Sequence, residues 1–134
     1  MSDLKRIKER ARTVFKEYIR LRDALKTTGS PFSCVCCTCG KEKEMNGQIH
    51  AGHFLAGSTN SIYFEETNVH GQCAYCNTYL HGALDKYLVF MIKTHGQKEV
   101  DRLYALKGTT VKYTTQDYEE IIKKYKEKIK NIYA

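Results

Sequence analysis

The middle of the chain gathers two kinds of side chain that can do chemistry. Cysteines stand at positions 34, 36, 37, 39, 73 and 76. The stretch Ile49-His50-Ala51-Gly52-His53-Phe54 sets two histidines three apart with no acid beside them. Thiolates favour soft or borderline metals, whereas imidazoles bind metals or move protons. The first cysteine cluster offers two overlapping C-x-x-C pairs, Cys34 with Cys37 or Cys36 with Cys39. Gly40 favours Cys36 and Cys39, because a glycine directly after the second cysteine lets the backbone turn so that its amides face sulfur. Cys73 and Cys76 form the second pair, separated from the first by 33 residues. Four thiolates in two such pairs make a closed tetrahedral site, and the ion that suits it is a structural Zn²⁺. Binding on the order of 10 kcal/mol would tie residues 36–76 into one unit. Cys34 and Cys37 are left as small packing residues.

The remaining elements must hold this centre in place. Residues 1–28 read as a basic amphipathic helix. Leu4, Ile7, Ala11, Val14, Tyr18, Leu21 and Leu25 recur three and four apart, and Thr27-Thr28-Gly29-Ser30-Pro31 ends the run. That stripe suits packing on its own domain or a seam against a second chain. Residues 32–72 have no helical period. They offer short strands at Gln48–Phe54 and Ser61–Phe64, divided by Gly57-Ser58-Thr59-Asn60, with a turn at Asn46-Gly47. A helix is expected from just after Cys76 to about His95, with His95 as a cap before Gly96. A shorter helix should cover Glu99–Leu106. A last helix, capped at Thr114 or Thr115, carries Tyr118, Ile121, Ile122, Tyr125, Ile129 and Ile132 on one stripe. The ten tyrosines fall mostly on such stripes and read as core. The expected architecture is one α+β domain over residues 1–134. A basic helix (1–28) and a helical segment (96–134) flank a zinc-stapled centre (32–95).

Charge points to the partner. The chain carries a formal net charge of +7. Residues 1–28 hold nine Lys and Arg against four acids, and a second basic run lies at 123–130. Such a surface suits a polyanion, because each cation near a phosphate releases counterions. Apolar runs are only a few residues long, so no membrane span is expected. The charged start, MSDLKRIKER, does not resemble a secretion signal, which places the chain in a cytoplasm where six cysteines serve metal rather than disulfides.

The order of His53, Asn68 and then Asn77, directly after Cys76, resembles the HNH, or ββα-metal, endonuclease motif. The zinc-clamped form of that motif is similar to recombination endonuclease VII of T-even phages. A longer resemblance runs through Tyr18-Ile19-Arg20-Leu21-Arg22-Asp23, Cys36-x-x-Cys39-Gly40 and His50-Ala51-Gly52-His53. It continues through Phe64-Glu65-Glu66-Thr67-Asn68-Val69-His70-Gly71-Gln72-Cys73-x-x-Cys76-Asn77 to Gly82 and Tyr87. These segments resemble the NinG (Rap) recombination proteins of lambdoid phages over residues 14–95. The resemblance implies an HNH-like finger in a structure-selective endonuclease, acting on branched DNA such as D-loops and Holliday junctions in a bacterial host cytoplasm. It implies His53 as general base, Asn68 as the residue that pins the hairpin, and Asn77 as ligand to a catalytic Mg²⁺ or Mn²⁺. Cutting both strands of a junction would favour a homodimer, with the N- or C-terminal stripe as its seam.

Phosphodiester hydrolysis needs an activated water and a cation against the developing charge, and a neutral histidine with one divalent ion supplies both. The position before the base, where such sites often carry an acid, is Gly52. Two replacements stand open as metal ligands. His50 lies nearby but would face the opposite side of a regular strand unless Gly52 bends it. His81 lies four residues after Asn77 and would share its helical face. Arg20, Arg22 and His70 are candidate DNA contacts. The rival readings are a non-catalytic zinc module that binds nucleic acid and an HNH nuclease acting on plain duplex.

Overall fold

A computed structural model describes residues 2–56 and 60–134; of the expected Gly57–Asn60 divider, residues 57–59 lie outside the described residues. Helix α1 spans Asp3–Thr28. The Ser2 hydroxyl accepts from Lys5 N at its start, and Gly29, at φ 76°, returns its N–H to Leu25 O at its end. That left-handed turn is open to glycine without a Cβ penalty. Helix α5, Thr115–Ile132, opens with a capping box between Thr114 and Asp117. Ile7, Ala11, Val14, Phe15 and Ile19 of α1 bury against Tyr118, Ile122 and Tyr125 of α5. Phe15 and Tyr125 meet edge to face at 5.0 Å. The two apolar stripes therefore pack largely on each other within one chain, while Leu4 at the start of the α1 stripe stays exposed.

Two antiparallel pairs lie beneath α1. Strands β1 (Ser33–Val35) and β2 (Glu42–Glu44) form a small ribbon around the first cysteines. Strands β3 (Ile49–His53) and β4 (Val69–Cys73) pair with Ile49 opposite Cys73, His50 opposite Gln72, Gly52 opposite His70 and His53 opposite Val69. The expected turn at Asn46-Gly47 leads into β3, with Gly47 at φ 92°. The expected strand at Ser61–Phe64 is not one: Asn60–Tyr63 is a short helix, α2, followed by a 3-10 turn at Glu66–Asn68. A short apolar run carries no period that separates strand from helix. The true partner of β3 was hidden because β4 is buried along its whole length and shows no alternation.

The helix expected from residue 77 onward is broken. A π-helical turn covers Tyr75–Tyr79, and His81, Gly82 and Ala83 follow with φ of 51°, 95° and 48°. Helix α3 begins only at Leu84 and runs to His95; α4 covers Gln97–Lys107. Val100 and Leu103 of α4 pack with Tyr87 and Met91 of α3 in a core that also holds Phe54, Leu55 and Ile62. The hairpin β3–β4 is thus covered on both faces, by α1 and by α3. Tyr75, Tyr79, Tyr104 and Tyr133 are exposed, so the aromatic stripes are less completely core than their spacing suggests. Among the described residues no helix is long and apolar enough to cross a membrane.

One buried ion pair fastens α1 to β4. Asp23 is 5% exposed, and its carboxylate accepts from the Gly71 amide at 2.8 Å. Arg22 donates to the same carboxylate at 2.8 Å and to the backbone carbonyls of Glu66 and Val69. Arg22, expected as a DNA contact, therefore points its guanidinium inward and holds the start of β4.

Candidate functional site

The sulfurs of Cys36, Cys39, Cys73 and Cys76 all lie within 4.8 Å of one another. Cys39 and Cys73 sulfurs are 3.9 Å apart, close to the roughly 3.8 Å between tetrahedral thiolates around one zinc ion. The group could hold a metal ion such as zinc. Gly40 takes φ 75° and returns its amide to Cys36 O, while the Cys76 amide points at Cys73 Sγ. Burial pushes the Cys36 thiol up, but hydrogen bonds from Cys73, Thr38 and Cys39 outweigh it and bring the group down to about 6. Cys34 and Cys37 stand outside the cluster. Cys34 is fully buried beneath Thr27 and pushed up to about 11 by that burial, and Cys37 packs toward Tyr87.

Beside this centre lies a cleft of about 430 Å³, lined by Lys16, Ala51, His53, Tyr63, Asn77 and His81 among others. His53 ends β3, and its Nε2–H donates to the Tyr63 carbonyl at 3.1 Å. A carbonyl can only accept, so Nδ1 is left without a proton and is the basic atom. Burial, with the nearby charges of Lys16 and Arg12, holds the His53 imidazolium below the usual histidine range. Asn68 is fully buried. It accepts from Leu55 N at 2.9 Å and donates to Leu55 O at 3.0 Å, tying the end of the loop to its beginning just past His53.

Asn77, in the π-helical turn, donates to His50 Nδ1 at 3.0 Å. Strand β3 has no bulge at Gly52, so His50 meets Asn77 because the turn comes to it and not because the strand bends. His81 shares the cleft with Asn77 and His53. Its route there is a left-handed backbone rather than the helical i, i+4 face that the spacing suggested.

A side chain on Gly52 would have to displace the Gln72 amide. A Cβ there would lie 2.2 Å from Gln72 Oε1. Gln72 is fully buried, and its amide nitrogen donates to Gly82 O at 2.8 Å and Thr38 Oγ1 at 3.1 Å. The Gly52 carbonyl accepts from Tyr87 OH at 2.6 Å. Because that proton is committed, His70 Nδ1–H donates to the Tyr87 oxygen, and His70 Nε2 accepts from His95 Nε2 at 2.9 Å. His70 is 5% exposed and held down to about 3, chiefly by burial. His70 is thus a buried residue held by Tyr87 and His95 at the start of β4, which fits shaping this segment better than meeting a phosphate, and the His95 ring turns to His70 instead of capping α3.

Arg20 is half-buried on α1. Sequence reasoning missed three contributors. Arg12 lies over the Tyr63 ring at 4.0 Å, and Lys16 lines the cleft; their i, i+4 spacing on α1 was the available signal. Gln72 carried no signal of its own.

The family model described as "Bacteriophage Lambda NinG protein" matches residues 1–134. Over 98 residues the chain is 31% identical to "Protein ninG" of Escherichia phage 933W and 30% identical to those of Salmonella phage P22 and Escherichia phage lambda. Each match covers 72% of this chain and 47% of the relative, so the chain spans about half the length of the curated relatives it matches. No solved structure matches the chain.

Proposed function

The chain belongs to the NinG family, and we propose that it is a metal-dependent DNA endonuclease of the HNH type, selective for branched recombination intermediates. The observation that carries this reading is the setting of His53: its Nε2–H is spent on the Tyr63 carbonyl, and the residue lines a cleft shared with Asn77 and His81. An imidazole whose Nδ1 is bare and whose charged form is disfavoured is suited to take a proton from water. Asn68 fixes the loop that follows it, and α2 fixes its tautomer. Lys16 and Arg12 lie where a phosphate entering the cleft would meet positive charge.

Two imidazoles and one amide are few and neutral donors, so an ion held there would be carried largely by its own waters and by substrate phosphate, and the nitrogen donors favour Mn²⁺ over Mg²⁺. His50, Asn77 and His81 would hold Mg²⁺ or Mn²⁺, which supplies Lewis-acid stabilisation to the phosphate and the leaving oxygen. The four cysteines would hold Zn²⁺ as a structural staple that sets the position of Asn77. The similarity to recombination endonuclease VII rests on this same order of parts.

One observation favours a second reading. Among the described residues no carboxylate lines the cleft, as would befit a zinc module that binds nucleic acid without cutting it. Purified protein incubated with a four-way junction and with linear duplex, in Mg²⁺, Mn²⁺ or chelator, decides between them. Metal-dependent cutting of the junction in preference to duplex is expected. Equal cutting of both would make it a duplex nuclease, and binding without cutting would make it the non-catalytic module.

A further inference from the structure

We propose that Gln72 supplies, from the opposite strand, the oxygen ligand that position 52 lacks, completing a divalent-cation site with His50 and Asn77. The inference rests on the reading that a divalent ion sits beside Asn77. Three observations lead to it. Gln72 Oε1 has no hydrogen-bond partner among the described residues although it is buried, and an unpartnered buried amide oxygen calls for an explanation. Its orientation is fixed, since the amide nitrogen is held by Gly82 O and Thr38 Oγ1. Finally, Oε1 lies 2.2 Å from where a Cβ on Gly52 would stand. A carboxylate oxygen lies about 2.4 Å from its own Cβ by ordinary bond lengths. The glutamine oxygen thus occupies the neighbourhood that an aspartate oxygen at position 52 would reach.

His50 is directly opposite Gln72 in the β3–β4 register, and its Nδ1 is 3.0 Å from the Asn77 amide. His50 and Gln72 therefore share one face of the hairpin, and the turn brings Asn77 to His50. Burial of Oε1 from water is no obstacle, because a small dication draws oxygen ligands to about 2.1 Å, closer than a water contact. Thr38, which anchors the Gln72 amide, also sits 3.3 Å from Cys36 Sγ, so the cysteine centre sets the aim of this oxygen.

The test is Mn²⁺ titration of the zinc-loaded full chain without DNA, read by loss of the free Mn²⁺ paramagnetic resonance signal. Wild type is compared with Gln72→Ala, Gln72→Glu, Gly52→Ala and Asn77→Ala, each checked for zinc content and circular dichroism. Gln72→Ala should weaken binding roughly ten- to hundredfold. Gly52→Ala should do likewise by displacing the amide, and the isosteric Gln72→Glu should tighten it. If Gln72→Ala fails to fold, Gly52→Ala and Gln72→Glu decide. Loss of binding in Asn77→Ala with none in the Gln72 and Gly52 variants overturns this inference and leaves the nuclease reading intact. Wild type that takes up no Mn²⁺ overturns the inference together with the metal site on which it rests.

Discussion

Cys76 and Asn77 are consecutive, yet they belong to two centres built on opposite terms. The cysteine cluster is closed: four sulfurs within 4.8 Å, three of the cysteines buried, each aimed by backbone turns. The cleft beside it is open and, among the described residues, offers the imidazoles of His53 and His81 and the amide of Asn77, with Lys16 in its lining. Anionic soft ligands make a permanent, high-affinity site, whereas neutral donors leave a hard ion dependent on water and substrate. The contrast teaches how the labour divides. On the function proposed above, the first centre would hold the chain in shape, and the second would work with weak ligands because the first fixes where they stand.

If that division is right, damage to the two centres should differ in kind. The largest effect belongs to the staple. Cys73→Ala or exhaustive chelation should remove stabilisation on the order of 10 kcal/mol, read as loss of the cooperative thermal transition. Cys37→Ala should keep one equivalent of zinc by colorimetric release. A spare thiol whose loss empties the centre would break the assignment. Next is the clamp that carries α1 to β4. Asp23→Ala leaves the part-buried Arg22 without its carboxylate and the buried Gly71 amide without its acceptor, costing about 3 kcal/mol in urea unfolding with zinc content unchanged. Asn68→Ala should cost less, about 2 kcal/mol, but should lower cleavage disproportionately, since Leu55 is tied just beyond His53.

The smallest effect is in pH. His53 must be neutral to accept a proton, and burial lowers its proton affinity. The cleavage rate should therefore rise with pH and level off at a midpoint below the ordinary histidine value of about 6.5. A midpoint above that value would contradict the burial seen here.

The two centres also differed in how legible they were. The cysteine cluster could be read from spacing alone, because ligand identity and a following glycine state its geometry directly. Helices α1 and α5 were legible from their stripes and caps. The cleft was harder. Its far wall is α2, a four-residue helix in a run too short to show a period. Its second strand, β4, is buried on both faces and shows no alternation. His81 reaches the cleft through a left-handed backbone that no helical spacing predicts, and Arg22 next to Asp23 looks like a surface pair until β4 closes over it. Gln72 was invisible because its part depends on the absence of a side chain across the sheet.

The most direct test of the account is cleavage of a four-way junction by wild type and by His53→Ala, at matched zinc content and matched DNA affinity. Loss of about a hundredfold or more in the single-turnover rate, with binding unchanged, is the predicted result. Equal cutting by the two proteins would contradict it.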